Sequence, residues 1–224
     1  MKKKTQPKAT IIRHSLIEIA EHWVLALSGF ALVFSGFGQM PIYKRYWIAR
    51  IPGLQWSGDY QISLTIHYIA AAFFIGAIIF HLLYHGLLKH YGLLPRKGDI
   101  KESIKTIKAM LFKGEEPPFD KYLPEQRLAY LYMGAVILVL VITGIVKVYK
   151  NFPHANVFSG LIFFSTWTHT IFTLLFIIGL IAHVGALLIK VNFPLAKSIF
   201  HGKVEAEYAK ERHPLWFKKL SGNK

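Results

Sequence analysis

The chain contains no cysteine among its 224 residues. Disulfides, thiolate zinc sites, iron–sulfur clusters and covalently attached haem are therefore excluded for it. Acidic residues are scarce, with 12 Asp and Glu against 27 Lys and Arg, a formal charge of +15. Charge of either sign is absent from four long stretches: His22–Tyr43, Tyr60–Leu88, Leu128–Val146 and Leu161–Ile189. At ~1.5 Å per residue, helices over these stretches match the ~30 Å hydrocarbon layer of a bilayer. With 53% hydrophobic residues and a mean hydropathy of +0.36, the composition is that of an integral membrane protein.

The expected fold is all-α: a four-helix transmembrane bundle forming one membrane domain over residues 1–224, with helices at about 22–43, 60–88, 128–149 and 161–190. Met1-Lys2-Lys3-Lys4 looks like the start of a signal peptide. Three further apolar runs follow and no small-residue cleavage site is evident, so a retained first helix is expected. Before it, Ile11, Ile12, Leu16, Ile17 and Ile19 interleave with Arg13, His14, Glu18 and Glu21, the pattern of an interfacial lead-in. The polar loop 89–127 carries a basic amphipathic helix over Asp99–Lys113, with Ile100, Ile104, Ile107, Met110 and Leu111 at helical spacing, ended by Glu115-Glu116-Pro117-Pro118. The tail 191–224 is basic and expected to be partly helical.

Lysine and arginine sort to one side. Residues 1–21, 89–127 and 190–224 hold 22 of them, the two remaining loops 5. The positive-inside rule then puts both termini and the long loop in the cytoplasm of a bacterial cytoplasmic membrane. So distributed, the charge is a topology signal and a contact for anionic lipids, not a nucleic-acid footprint.

Histidine is the residue type present where charge is missing. His169 and His183 in the last run stand at i and i+14, and His67 and His81 in the second run repeat that step. Fourteen steps of ~100° fall about 40° short of four turns, so each pair projects from nearly one face at two depths about 21 Å apart. Ligands aimed one way at two depths suit two haems within the membrane; imidazoles hydrogen-bonded to neighbouring helices are the plainer alternative. The second and fourth helices begin on the same side, so His67 and His169 lie at matching outer depth as candidate ligands of one haem iron. His183 needs an inner partner, either His22 at the mouth of the first helix or His81, which spacing symmetry favours. Gly36 follows His22 by the same i to i+14 step, where it would leave room beside the other haem. His14, His85, His90, His154, His201 and His213 read as interfacial or loop residues, solvated or capping.

Glu21-His22-Trp23, Ser35-Gly36, Thr143-Gly144, the spaced pair His169 and His183, and the tail Gly202-Lys203-Val204 to His213-Pro214-Leu215-Trp216 together resemble one family. It is the cytochrome b (gamma) subunit of membrane-bound respiratory formate dehydrogenase, kin to the cytochrome b of nickel–iron hydrogenases. The resemblance runs from about Arg13 to Leu220. It implies two haem b groups, the outer on His67 and His169 and the inner on His22 and His183, with His81 the alternative inner ligand. It also implies a quinone pocket where that family has Lys-Tyr-Asn-x-Gly-Gln-Lys. Here the stretch is Lys121-Tyr122-Leu123-Pro124-Glu125-Gln126-Arg127, so Tyr122 and Gln126 are the candidate pocket residues and Asn and Gly are replaced. Glu125 is a candidate proton-uptake group there, or a solvated loop carboxylate.

The expected function is electron transfer from a periplasm-facing dehydrogenase, through an iron–sulfur subunit, to menaquinone or ubiquinone at the cytoplasmic side. The chain would be the quinone-reducing membrane subunit and would not itself oxidise formate. A hydrogenase cytochrome b is the alternative within that class. A haem-free anchor or proton-conducting scaffold is the alternative outside it, opposed by the matched spacings and by the lack of Asp, Glu, Lys or Arg inside the apolar runs.

Overall fold

A computed structural model describes residues 9–45, 47–112, 114 and 117–222. The charged start Met1–Lys4, the loop residue Tyr46, and Lys113 with the helix-ending Glu115-Glu116 lie outside the described residues. The chain is mostly helical (77%) and divides into two compact units, residues 16–89 and residues 1–15 with 90–224. Among the described residues, four helices are long and apolar enough to cross a membrane.

The first unit is a helical hairpin. Helix α1 (Leu16–Gly38) is followed by the short α2 (Pro41–Arg45) and by α3 (Tyr60–Leu87). α1 begins and ends earlier than the uncharged run suggests. It begins earlier because Glu21 is buried against histidines of α3 and needs no water; the residues read as an interfacial lead-in thus include its first turn. It ends at Gly38, where a Cβ would meet the Ser63 hydroxyl at 2.6 Å, and Pro41 opens the next helix. Asp59 caps α3, its carboxylate accepting from the amides of Gln61 at 2.8 Å and Ile62 at 3.0 Å. Glu21 meets the end of α3 and Ser35 its beginning, so the two helices run antiparallel.

The second unit holds the other hairpin and a folded base. Strand β1 (Thr10–Ile12) precedes α4 (Asp99–Phe112), α5 (Pro124–Tyr149), α6 (Ser159–Leu187), α7 (Phe193–His201), strand β2 (Lys203–Glu205), α8 (Ala206–Arg212) and α9 (Pro214–Ser221). α5 and α6 are antiparallel. The Tyr132 hydroxyl donates to the Leu175 carbonyl at 2.7 Å, and Gly179 admits Met133 and Tyr132, whose side chains a Cβ would meet at 2.6 and 2.8 Å. Of the residues of α6 only Ser165 and Phe176 are buried in the protein, so lipid or ligand must cover the rest of that surface.

α4 is bound to the start of α5 by a buried ion pair. Arg127 Nε donates to Asp99 at 2.8 Å and Nη2 at 2.5 Å, while Nη1 donates to the Tyr122 carbonyl at 2.8 Å. These bonds hold the Asp99 carboxyl below the usual carboxylate range. The stripe of α4 that packs inward is Asp99, Ser103, Thr106 and Ala109, whereas Ile100, Ile104 and Ile107 face outward. That outward apolar stripe beside Lys101, Lys105 and Lys108 is an interfacial helix pattern.

The tail adds a feature beyond an all-α fold. β1 and β2 pair antiparallel, Ile11 opposite Val204. Gly202, at φ 76°, turns the chain out of α7 and presents its carbonyl to the amides of Arg13 (2.7 Å) and His14 (3.0 Å). Val204, Ala209 and Trp216 form a small core flanked by Ile11, Tyr208 and Phe217. His213, expected to be solvated or capping, is fully buried. Its Nδ1–H donates to the Asp120 carbonyl at 2.7 Å, and the Leu215 amide donates to that of Phe119 at 3.1 Å. The tail is thus anchored to the loop that leads into α5.

Burial, with Arg13 and then Arg212 nearby, lowers the His213 pKa to about 4. Between pH 6.5 and 4 the unfolded chain would take up a proton at this residue while the folded tail would not, so falling pH destabilises the tail, by up to ~3 kcal/mol. Hydrogen exchange should show protection of residues 203–221 declining from pH 7 to pH 4.5, and declining less in His213→Gln. Equal pH dependence in both proteins would contradict this account.

Candidate functional site

Two histidines inside the membrane helices are held in the same way. In α1, the Ser35 hydroxyl donates to the Ala31 carbonyl at 2.6 Å and lies 3.0 Å from His67 Nδ1. In α5, the Thr143 hydroxyl donates to the Val139 carbonyl at 2.7 Å and lies 2.9 Å from His169 Nδ1. In each case the hydroxyl hydrogen is committed to its own helix, so the oxygen faces the imidazole with a lone pair. Nδ1 must then carry the ring hydrogen, and Nε2 keeps its lone pair as a metal ligand. The residue after each hydroxyl is glycine. A Cβ on Gly36 would stand 3.6 Å from His67 Cε1, and one on Gly144 the same 3.6 Å from His169 Cε1. Serine–glycine and threonine–glycine pairs thus fix the Nδ1 edge of each ring and set a glycine against Cε1.

His81, at i+14 from His67 on α3, also has its Nδ1 held. Here the partner is the Glu21 carboxylate, and Glu21 precedes Ser35 on α1 by that same step. The other Glu21 oxygen lies 3.4 Å from His85 Nε2. His85, expected to be an interfacial or loop residue, lies in the last turn of α3. The Glu21 side chain is 7% exposed, those of His81 and His85 21% and 19%. Beside this cluster an apolar groove of about 540 Å³ runs between α1 and α3, lined by Ala20, Glu21, Val24, Phe73, Gly76 and Phe80 among others.

His22 follows Glu21 in α1, and its ring meets Trp23 edge-on at 5.8 Å. His183 is exposed on α6. Tyr122 lies at the base of α5, its ring 5.7 Å from the Arg13 guanidinium and close against Gly92, where a Cβ would approach to 3.2 Å. Gln126 has a local role: its Oε1 accepts from the Leu123 amide at 3.0 Å and caps α5. The part sequence reasoning missed is the hydroxyl and carboxylate partners of the histidines. Their signal was the step from Glu21 to Ser35, which equals the step from His67 to His81.

A family profile described as prokaryotic cytochrome b561 matches residues 13–202. Among curated proteins, the cytochrome b556 subunit of formate dehydrogenase from Haemophilus influenzae is 26% identical over 215 residues, covering 93% of this chain and 82% of that protein. The cytochrome b556(Fdn) subunit of the nitrate-inducible formate dehydrogenase of Escherichia coli K12 is 23% identical over 218 residues, covering 94% and 91%.

Thr143→Val keeps the volume of the side chain and removes the acceptor for His169. In spectra of the protein labelled with 15N-histidine, the His169 Nδ1–H tautomer should give way to a mixture in Thr143→Val and persist in Thr143→Ser. An unchanged signal in the valine variant would mean that the hydroxyl does not set the tautomer.

Proposed function

This chain belongs to the prokaryotic cytochrome b561 family, and from that premise we propose that it is the diheme cytochrome b subunit of a membrane-bound formate dehydrogenase. In this reading it passes electrons from a periplasm-facing catalytic subunit, by way of an iron–sulfur subunit, to menaquinone or ubiquinone near the cytoplasmic face. Haem b binding follows from the family, and the four apolar helices fit a bacterial membrane. The formate dehydrogenase assignment is supported by the two relatives, which are named as cytochrome subunits of that complex.

The residues present fit the cofactor. The observation that carries the reading is the repeated hydroxyl–glycine pair, which meets Nδ1 of His67 and of His169 with a hydroxyl and places a glycine beside Cε1, so that Nε2 is the coordinating atom. Neutral imidazoles are what haem iron takes as axial ligands, and the chain has no cysteine to compete. Matched depth in the sequence makes His67 and His169 the ligands of the outer haem. His22 and His183 hold the inner one, by resemblance, and His81 is the alternative to His22. When bound, haem b carries single electrons across the apolar layer. The protein fixes ligand tautomers through Ser35 and Thr143 and excludes water with its apolar helices. Tyr122 and Gln126 mark the region of the quinone site. Both termini face the cytoplasm on the strength of the lysine and arginine distribution.

A pyridine haemochrome assay on the purified complex should give two b haems per chain. His67→Ala and His169→Ala should each remove the same spectral component, and His22→Ala and His183→Ala the other. One haem per chain, or different components lost on replacing His67 and His169, would overturn the ligand assignment. Loss of the inner component in His81→Ala but not His22→Ala would transfer the inner ligand to α3.

A further inference from the structure

With the inner haem on His22 and His183, the cluster of Glu21, His81 and His85 is left without a part in holding the haems, and the inference here rests on that reading. We propose that the cluster is a separate binding site for a divalent transition-metal ion of the zinc class, built between α1 and α3 at the end of the first hairpin.

Two observations carry this. The first is convergence. One ligand atom from each of the three residues lies within 4.8 Å of the other two. His81 and His85 are one helical turn apart on α3 with ring centres 4.6 Å from each other, and α1 brings in Glu21 from the facing helix. Two imidazoles and a carboxylate around one point are a donor set suited to zinc and its neighbours rather than to calcium or magnesium. The second is an unsatisfied ligand atom. Glu21 is more than nine-tenths buried, and its Oε2 makes no hydrogen bond although it is enclosed. It points to His85 Nε2 at 3.4 Å, a separation suited to two ligands sharing one ion.

Electrostatics favour the same answer. A carboxylate enclosed by Val24, Phe73 and Phe80 in a membrane hairpin is costly unless a positive charge balances it. A divalent ion supplies that charge and takes all three donors at about 2.0–2.2 Å after a small adjustment of the rings. Three protein ligands leave a fourth coordination position for a further ligand. Such an ion would tie the beginning of α1 to the end of α3 immediately before His22, and so stiffen the helix that carries that ligand.

The test uses zinc itself on the purified, detergent-solubilised complex. After equilibration with zinc chloride and desalting, metal analysis should give one zinc per chain in addition to haem iron. Glu21→Gln and His85→Ala should each weaken retention by about tenfold or more. Because His85 is a haem ligand in neither inner-haem assignment, the haem spectrum of His85→Ala should match that of the parent. X-ray absorption at the zinc edge of the parent protein should show imidazole nitrogen and carboxylate oxygen near about 2.0–2.2 Å. No retained zinc in the parent, equal retention in His85→Ala, or an absorption edge without imidazole scattering would each overturn the proposal. Haem content is read separately, so failure of this site leaves the cytochrome assignment untouched, whereas loss of the inner haem component in His81→Ala would show that imidazole to be a haem ligand and overturn the zinc site.

Discussion

Polar groups at membrane depth must find partners inside the protein, and in this chain that requirement governs how the histidines are built. Each imidazole meant to offer one nitrogen has to have its other nitrogen satisfied, since no water is present to do so. Ser35 does this for His67 and Thr143 for His169, at 3.0 and 2.9 Å. Both hydroxyls can sit at helical positions because each also satisfies itself on the carbonyl one turn earlier. The cost of a hydroxyl in lipid is thereby removed twice, and the direction of its remaining lone pair is fixed. Helix pairing, ligand tautomer and the small neighbour at Gly36 or Gly144 are then one arrangement seen from three sides.

The same arrangement accounts for the form of the two hairpins. A helix that supplies a partner must lie close to the helix that carries the histidine, which calls for small residues at the crossing. Gly38 against Ser63 and Gly179 against Met133 and Tyr132 provide the approach. Elsewhere the helices bury little: of α6 only Ser165 and Phe176 are buried, and most of the apolar side chains of the other three spans face outward. Outward apolar surface is stable in lipid, so these hairpins do not need the dense core of a water-soluble bundle.

Much of this was legible in the sequence. Uncharged run lengths show the four membrane helices because each additional charge in lipid is costly, and the i to i+14 steps locate the histidines by helical geometry alone. What was not legible falls into two kinds. Helix limits set by tertiary contacts were displaced, as at Leu16, where burial of Glu21 extends α1 toward the N-terminus. Contacts between distant segments were invisible, because a periodicity has no information about what a side chain meets. The pairing of Ile11 with Val204, and the burial of His213 on the Asp120 carbonyl, join segments far apart in the chain, the first of them through two very short strands. No hydrophobic period announces elements so short.

Glu21 illustrates why partners matter more than residue type in reading such a site. Beside His22 in the sequence it looks like a feature of the helix mouth, a charge facing headgroups. In the fold it turns to the other side of α1, away from solvent, and meets His81 and His85 of α3. One helix therefore carries a ligand candidate, His22, and the neighbouring residue that organises a different group of histidines. Adjacent positions on a helix project about 100° apart, so neither role interferes with the other. His81 carries the spacing of a haem ligand and the surroundings of a metal cluster at once. Spacing alone would place it with His67 in a two-helix clamp. Its carboxylate partner and the imidazole one turn later are what set it apart.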